Sequence, residues 1–386
     1  MITRLDLQHF KCFEILKLPL GPLTLLSGAN ASGKSSVLQA LALLHQTLRG
    51  HEWSIRLMLN GPTLELGTVL DVIDEVHGRR EFELGMVYGD ETYDWRFSGD
   101  RKEMSMAVER VVIGDTPYEQ PALLRHLLPY TPGLAPDETG STASLLARCL
   151  LRLTYLTAER IGPREIYPLE DPQTTTVVGP RGEHAASLLH WGRDEPVVDG
   201  LAIEGVAKTR LHQARAWMRL FFPGCALEVQ QIPQTNAVTL GLRTSDDTNF
   251  HRPVHAGFGL TQVLPIVIAA VSADKGDILL IENPEVHLHP AGQAFMGQFL
   301  VDVARAGIQV IVETHSDHVL NGIRRWVKAG RIAPEQVALH FFRARSEDGA
   351  QVTSPQLNRS GSLDAWPEGF FDQFDKDVNY LAGWGE

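Results

Sequence analysis

Residues 28–36 read Gly-Ala-Asn-Ala-Ser-Gly-Lys-Ser-Ser, a G-x-x-x-x-G-K-S spacing from Gly28 to Ser35. Glycines at both ends let a loop turn tightly enough for its backbone N–H groups to converge on phosphate oxygens. The lysine and hydroxyl after the second glycine supply an ammonium for the β- and γ-phosphates and an oxygen donor for Mg²⁺. Gly28, Asn30, Ser32, Gly33, Lys34, Ser35 and Ser36 are therefore the candidate phosphate contacts. Such a loop needs an acid at the end of a neighbouring strand to hold the cation and its water. Glu282, closing the apolar run Ile278-Leu-Leu-Ile281, supplies it, so Ser35 and Glu282 are the expected metal pair.

These residues must be positioned by a strand before the loop and a helix after it. Leu23-Thr-Leu-Leu-Ser27 is the strand, and Val37, Leu38, Leu41, Leu44 and Leu48 recur at helical spacing. Upstream, Ile2, Leu5, Leu7, Phe10, Ile15, Leu18 and Leu20 predict two or three short strands, broken at Gly21-Pro22. The stretch Leu64 to Phe97 predicts a β-rich region with turns at Gly89-Asp90 and Ser98-Gly99-Asp100. A Pro/Gly/Ser/Thr-rich segment, residues 131–142, predicts a long exposed loop, and a helix through Leu145, Leu146, Leu150 and Leu153 should follow. Thr209 to Phe222 has helical spacing; Leu227–Val229 and Val238–Leu242 predict a strand pair. The runs 277–281 and 308–312 are apolar almost throughout, as in parallel strands buried on both faces. The fold class is α/β.

Across 386 residues, 35 Lys+Arg against 47 Asp+Glu give a net charge of −12. This weighs against a chain coated in nucleic-acid contacts, although a local basic face can coexist with it. Two basic groups stand out: Lys208, Arg210, Arg215 and Arg219, and Arg324, Arg325, Lys328 and Arg331. Each reads either as a solvated face or as a phosphate-backbone footprint. No apolar stretch is long enough for a bilayer span, and the N-terminus lacks a secretory pattern, so a cytoplasmic protein without a membrane partner is expected. Cys12, Cys149 and Cys225 have no C-x-x-C spacing and are expected to be buried thiols. A competing chemistry is a metallohydrolase built on His287, His289, His315, Asp317 and His318.

The phosphate loop together with Leu280-Ile281-Glu282-Asn283-Pro284-Glu285-Val286-His287-Leu288-His289-Pro290 resembles the ABC-type ATPases of the SMC, RecF and OLD (overcoming lysogenization defect) class. Their corresponding strand end reads L-L-I-D-E-P-E-x-H-L-H-P. The opening Leu7-Gln-His-Phe10-Lys11-Cys-Phe13 is similar to their N-F-K-S-F start, which implies that Lys11 borders the nucleotide. His315 in Val312-Glu-Thr-His315-Ser316 looks like their γ-phosphate-sensing switch histidine. Gly257-Phe-Gly259-Leu-Thr261-Gln262 stands where the class has the signature motif that contacts ATP held by a second protomer. The tail Trp366 to Asp375 resembles the C-terminal module of a short branch of these ATPases.

Two departures matter. Glu282 replaces the usual aspartate, and Asn283 stands at the usual general-base glutamate, where an amide cannot take a proton from water. Glu285 is then the nearest carboxylate; it reads equally as a base and as a surface or dimer-contact acid. Leu64-Glu-Leu-Gly67 lacks the glutamine a Q-loop needs.

The resemblance implies a P-loop NTPase head with a mixed or parallel sheet core. Its halves, residues 1–60 and 250–345, would enclose an inserted lobe over 61–249 (β-rich 64–115, helical 120–225, strand pair 226–243), followed by a tail module over 346–386. It implies ATP and Mg²⁺ as cofactors, with Lys34, Glu282, Glu285 and His315 as the catalytic set. A homodimer or higher oligomer would sandwich each ATP between Lys34 of one chain and Gly259 and Thr261 of another. With only about forty residues after the core, a nuclease domain of the kind some relatives carry is not expected. The expected role is a regulator of a separate effector such as a nuclease, in prokaryotic anti-phage defence, with DNA as a possible trigger. A RecF-like repair ATPase and a scaffold that binds ATP without hydrolysing it are the alternatives.

Overall fold

The computed structural model describes residues 1–74, 76, 79–130, 141–345 and 351–384. Residues 131–140 of the expected loop lie outside these; Ser141 caps the helix Thr142–Leu151, its hydroxyl accepting from the Ser144 N–H at 3.2 Å.

The site rests on a six-stranded sheet in the order Thr154–Leu156, Ile278–Glu282, Gln309–Glu313, Leu23–Gly28, Val337–Phe342, Val352–Thr353. All its pairings are parallel except the last. Strands from the first and last thirds of the chain thus lie side by side, and their apolar runs are explained by burial on both faces. Leu26, Ile278, Leu280 and Ile311 pack on one side; Leu23, Leu25, Leu279, Ile281, Val310 and Val312 pack on the other, with the helices Phe258–Ser272, Pro290–Arg305 and Asp317–Lys328.

On the first side lies the helix Lys34–Gly50, enclosed by an antiparallel sheet ordered Phe13–Pro19, Ile2–Phe10, Glu81–Tyr88, Glu91–Ser98, Ser105–Ile113, Arg56–Met58. The β-rich stretch is therefore hydrogen-bonded directly to the N-terminal strand: Leu7 pairs with Leu84 and Leu5 with Met86. The two sheets are tied at Gln309, whose buried amide accepts from the Ile2 N–H at 3.0 Å and donates to the Ile2 carbonyl at 2.6 Å.

Some local expectations shift. Strand structure begins at Glu81 rather than Leu64, because Asp71 accepts hydrogen bonds from the Thr68 N–H (2.7 Å) and hydroxyl (2.8 Å) and closes a helical turn, Val69–Val72. Ile15 points to solvent from an edge strand. The expected helix and strand pair appear as Arg210–Phe221, Ala226–Gln231 and Ala237–Arg243. Among the described residues no helix is long and apolar enough to cross a membrane. Cys149 and Cys225 are buried, while Cys12 is half-buried beside the phosphate loop.

Candidate functional site

The phosphate loop leaves the sheet at Gly28 and enters the helix Lys34–Gly50 at Gly33. Neither position admits a side chain. Gly28 has φ +134° and packs its α-carbon against the Phe342 carbonyl; Gly33 has φ +100°, and a Cβ there would lie 2.5 Å from Cys12 Sγ and from the Phe13 ring. The loop opens onto a cleft of about 400 Å³, lined by Asn30, Ser32, Gly33, Lys34, Ser35 and Ser36 together with Cys12, Gln39, Glu313 and His315. Helix N–H groups and the positive dipole end favour an anion here. Lys11 meets the edge of this cleft through Gln39, whose side-chain oxygen accepts from its ammonium at 2.6 Å. Burial lowers the Lys11 pKa.

Lys34 is 3% exposed. Its ammonium folds back onto the loop, donating to the carbonyls of Gly28 (3.2 Å) and Ala29 (2.7 Å), and stands 3.8 Å from Glu313 Oε1. Burial pulls its pKa down, against the pull of Glu313. Ser35 donates its hydroxyl to Glu313 Oε2 at 2.8 Å. The carboxylate at the loop is thus Glu313, at the end of the strand Gln309–Glu313, whose pKa burial raises.

Glu282, expected beside Ser35, is its register partner one strand further out. Its Oε1 accepts from the Tyr155 hydroxyl and its Oε2 from the Ala158 N–H at 3.0 Å. The reason is strand order: Gln309–Glu313 lies between Ile278–Glu282 and the phosphate-loop strand. Burial, then the Glu282 charge, raises the Tyr155 pKa and keeps its proton in place.

Asn283 follows with φ +43°, a left-handed backbone that asparagine tolerates better than most side chains. Its N–H donates to the Glu313 carbonyl at 2.8 Å. Arg160, 5% exposed, donates to the carbonyls of Glu282 and Asn283, each at 2.8 Å. Burial pushes its pKa down to about 10. Arg160 is thus a buried clamp on the strand end.

Glu285 Oε1 accepts from the His315 N–H at 2.9 Å, while Oε2 is buried without a hydrogen-bond partner. The His315 ring lines the cleft, and burial, then nearby Lys34, lowers its pKa. Lys34, Ser35, Glu313, His315 and, through the backbone, Glu285 are brought together.

The signature segment is placed elsewhere. Gly257 caps the helix Phe258–Ser272 in open space, and a Cβ at Gly259 would lie 2.9 Å from the His287 carbonyl. Thr261 and Gln262 turn inward: the threonine hydroxyl donates to the Phe258 carbonyl at 2.9 Å, and the glutamine amide to the Arg160 carbonyl at 3.5 Å. None of these four lines the chain's own phosphate cleft.

The metallohydrolase arrangement is not assembled. His287 packs on Phe258 with ring centroids 5.4 Å apart, His289 caps a helix, and His318 sits 3.8 Å from Asp317. Among the described residues no three His, Cys, Asp or Glu side chains converge to hold a metal alone. The Ser35 hydroxyl and Glu313 carboxylate fit Mg²⁺, a hard cation usually held by one or two carboxylates plus phosphate oxygens and water.

The first basic group is largely engaged within the fold. Lys208 pairs with Asp199 (2.6 Å), Arg210 with Glu195 (2.6 Å) and Arg219 with Asp246 (2.9 Å), and Arg215 donates to the Leu227 carbonyl (2.6 Å). In the second, Arg324 donates to the Gly361 carbonyl at 2.7 Å and lies over Trp366 at 5.3 Å, while Arg325, Lys328 and Arg331 stay exposed.

Two features escaped the sequence. Glu313 was visible only as another acid at the end of an apolar strand. The C-terminal segment also walls the phosphate loop: Gly369, Phe371, Asp372 and Lys376 share a cleft of about 260 Å³ with Ser27, Gly28 and His315, and the Gln351 amide donates to the Ser32 carbonyl at 3.3 Å.

Comparison with known proteins supports this architecture. Residues 1–122 match the family model "AAA ATPase domain", residues 173–321 "AAA domain, putative AbiEii toxin, Type IV TA system", and residues 332–381 "Protein of unknown function (DUF3696)". A stretch of 44 residues is 46% identical to the OLD nuclease of Thermus scotoductus, covering 11% of this chain and only 8% of that nuclease. The Smc head domain with an extended coiled coil, bound to the C-terminal domain of ScpA, from Pyrococcus furiosus, superposes with a TM-score of 0.55 at 11% identity over 99% of this chain and 98% of that one. An SmcHead bound to the C-winged helix domain of ScpA gives 0.50 at 13% identity over 93% and 98%. At these identities the likeness is one of fold: the P-loop ATPase head.

Proposed function

We propose that this SMC/RecF/OLD-like chain, with its AAA-type ATPase domains, binds Mg-ATP in the cleft over Gly28 to Ser36 and hydrolyses it slowly. The observation that carries the reading is the cluster of Lys34, Ser35 and Glu313 beneath a loop whose Gly28 and Gly33 leave no room for a side chain.

In this reading the loop N–H groups and Lys34 hold the phosphates. Lys34 exchanges its carbonyl contacts at Gly28 and Ala29 for β- and γ-phosphate oxygens. Ser35, backed by a strand-end carboxylate, would hold Mg²⁺, which would neutralise phosphate charge when bound. His315, largely neutral at pH 7, offers a ring N–H to the γ-phosphate. Glu285 fixes the backbone of His315 and keeps one buried oxygen free to accept a proton from water. Positioning and electrostatics do most of the work, as in phosphoryl transfer generally.

Gly257 and Gly259, exposed or half-exposed at a helix start, would meet ATP held by a second copy, so nucleotide joins two chains. The dimer would regulate a separate effector such as a nuclease, in anti-phage defence with nucleic acid as trigger; solved SMC heads carrying ScpA domains illustrate an ATPase head that docks a partner. Light scattering with and without Mg-ATP tests the assembly step: the mass doubles with ATP in the wild type and stays monomeric in Lys34→Ala. A mass indifferent to nucleotide overturns it.

A second reading, binding without hydrolysis, is favoured by Asn283. Its amide is no base, and its left-handed backbone is fixed by the Glu313 carbonyl and Arg160.

A further inference from the structure

We infer that Glu313 is the residue that orients Ser35 toward the divalent cation, the position that the strand-end motif assigns to Glu282. This rests on the Mg-ATP reading above.

A serine hydroxyl has one proton and two lone pairs. With the proton donated to Glu313 Oε2 at 2.8 Å, both lone pairs of Ser35 Oγ are free for a cation at the phosphates. The other oxygen of Glu313 lies 3.8 Å from Lys34, so one carboxylate spans the two loop side chains that meet nucleotide. Its mounting is rigid. Glu313 is 5% exposed, pairs with Leu26 of the phosphate-loop strand on one side and with Glu282 on the other, and its carbonyl accepts the Asn283 N–H.

Glu282 has neither property. Both its oxygens accept hydrogen bonds from the outer edge of the sheet, at Tyr155 and Ala158, and no contact joins it to Ser35. It braces the outer strands, while Glu313 is a positioning residue that acts on the cation through Ser35.

The test is binding of a fluorescent ATP analogue in EDTA and across a Mg²⁺ titration, for the wild type, Lys34→Ala, Ser35→Ala, Glu313→Gln, Glu282→Gln and the Ser35→Ala/Glu313→Gln double variant. Glu313→Gln should raise the Mg²⁺ concentration for half-maximal binding roughly 10–100-fold, as loss of an outer-sphere partner does, while binding in EDTA should not weaken, because the change removes a negative charge beside Lys34 and the phosphates. The double variant should be no worse than the worse single one, because both remove the same contact. Should Glu313→Gln fold poorly, Glu313→Asp, which keeps the charge but draws it back by one methylene, should show the same kind of shift. A wild-type Mg²⁺ curve in Glu313→Gln or Glu313→Asp, with a large shift in Glu282→Gln, overturns the assignment. Nucleotide binding indifferent to Lys34→Ala overturns the ATP reading itself, a separate and recognisable result.

Discussion

Glu282 and Glu313 sit side by side at the ends of neighbouring parallel strands, yet their carboxylates reach in opposite directions along the sheet end. Glu313 reaches Ser35 and Lys34; Glu282 is held by Tyr155 and Ala158. In the proposed function, that division makes the strand Gln309–Glu313, which also leads to His315, the link between the phosphate loop and the histidine proposed to sense the γ-phosphate.

The left-handed turn at Asn283 has a measurable cost. Asn283→Gly should leave stability near that of the wild type, whereas Asn283→Ala should lose about 1 kcal/mol in urea unfolding, the usual penalty for a Cβ in that region. Asn283→Glu should suffer similarly and gain no turnover, because the conformation, not only the side chain, is fixed by Arg160. Equal stabilities for the glycine and alanine variants would contradict this.

Glu285→Gln keeps an oxygen for the His315 N–H but removes the proton acceptor. Phosphate release should fall by about two orders of magnitude, the lower range for a lost general base, with ATP binding preserved. Single-turnover measurements separate the two, and an unchanged chemical step would return Glu285 to a structural role.

Two buried histidines predict an acid-sensitive fold. His45 meets the Leu150 carbonyl at 2.7 Å; His340 meets the Pro19 carbonyl at 2.7 Å and the Ser354 hydroxyl at 2.8 Å. Burial pushes both pKa values down from 6.5 to about 4. The unfolded chain therefore binds these protons first: the stability is fully present above about pH 6.5 and is lost progressively as pH falls toward 4, by roughly 3 kcal/mol per histidine at the end of that window. Urea midpoints between about pH 7.5 and 5 should decline, and less steeply in His45→Gln. A flat profile would contradict the assignment.

Phe370 is fully buried, 5.3 Å from Phe341 and 5.6 Å from Trp366 in ring centroids. Phe370→Ala should cost about 3–5 kcal/mol if the segment unfolds with the body. If the segment instead detaches locally, limited proteolysis should cut within residues 351–384 before the core. Resistance equal to the wild type, with an unchanged melting temperature, would contradict its anchoring role.

What was legible in the sequence was local. Gly28 and Gly33 announce the phosphate loop because no side chain fits there, and the runs 278–281 and 308–312 announce parallel strands because both faces are buried. What was not legible depends on neighbours distant in sequence. Whether Glu282 or Glu313 faces Ser35 follows from strand order. The direct pairing of Leu7 with Leu84 merges the β-rich stretch with the N-terminal strands. Partners such as Asp246 for Arg219 and Glu195 for Arg210 engage a cluster that looked like a phosphate footprint. Thr261 and Gln262 share a helix with Gly259 but face inward, a distinction a motif does not carry.

Phosphate release from Mg-ATP by the pure protein, with Lys34→Ala as the blank, tests the central claim most directly. The account predicts slow turnover that Lys34→Ala abolishes and Glu285→Gln reduces. Turnover unaffected by Lys34→Ala, or its absence together with no Lys34-dependent ATP binding, would contradict it.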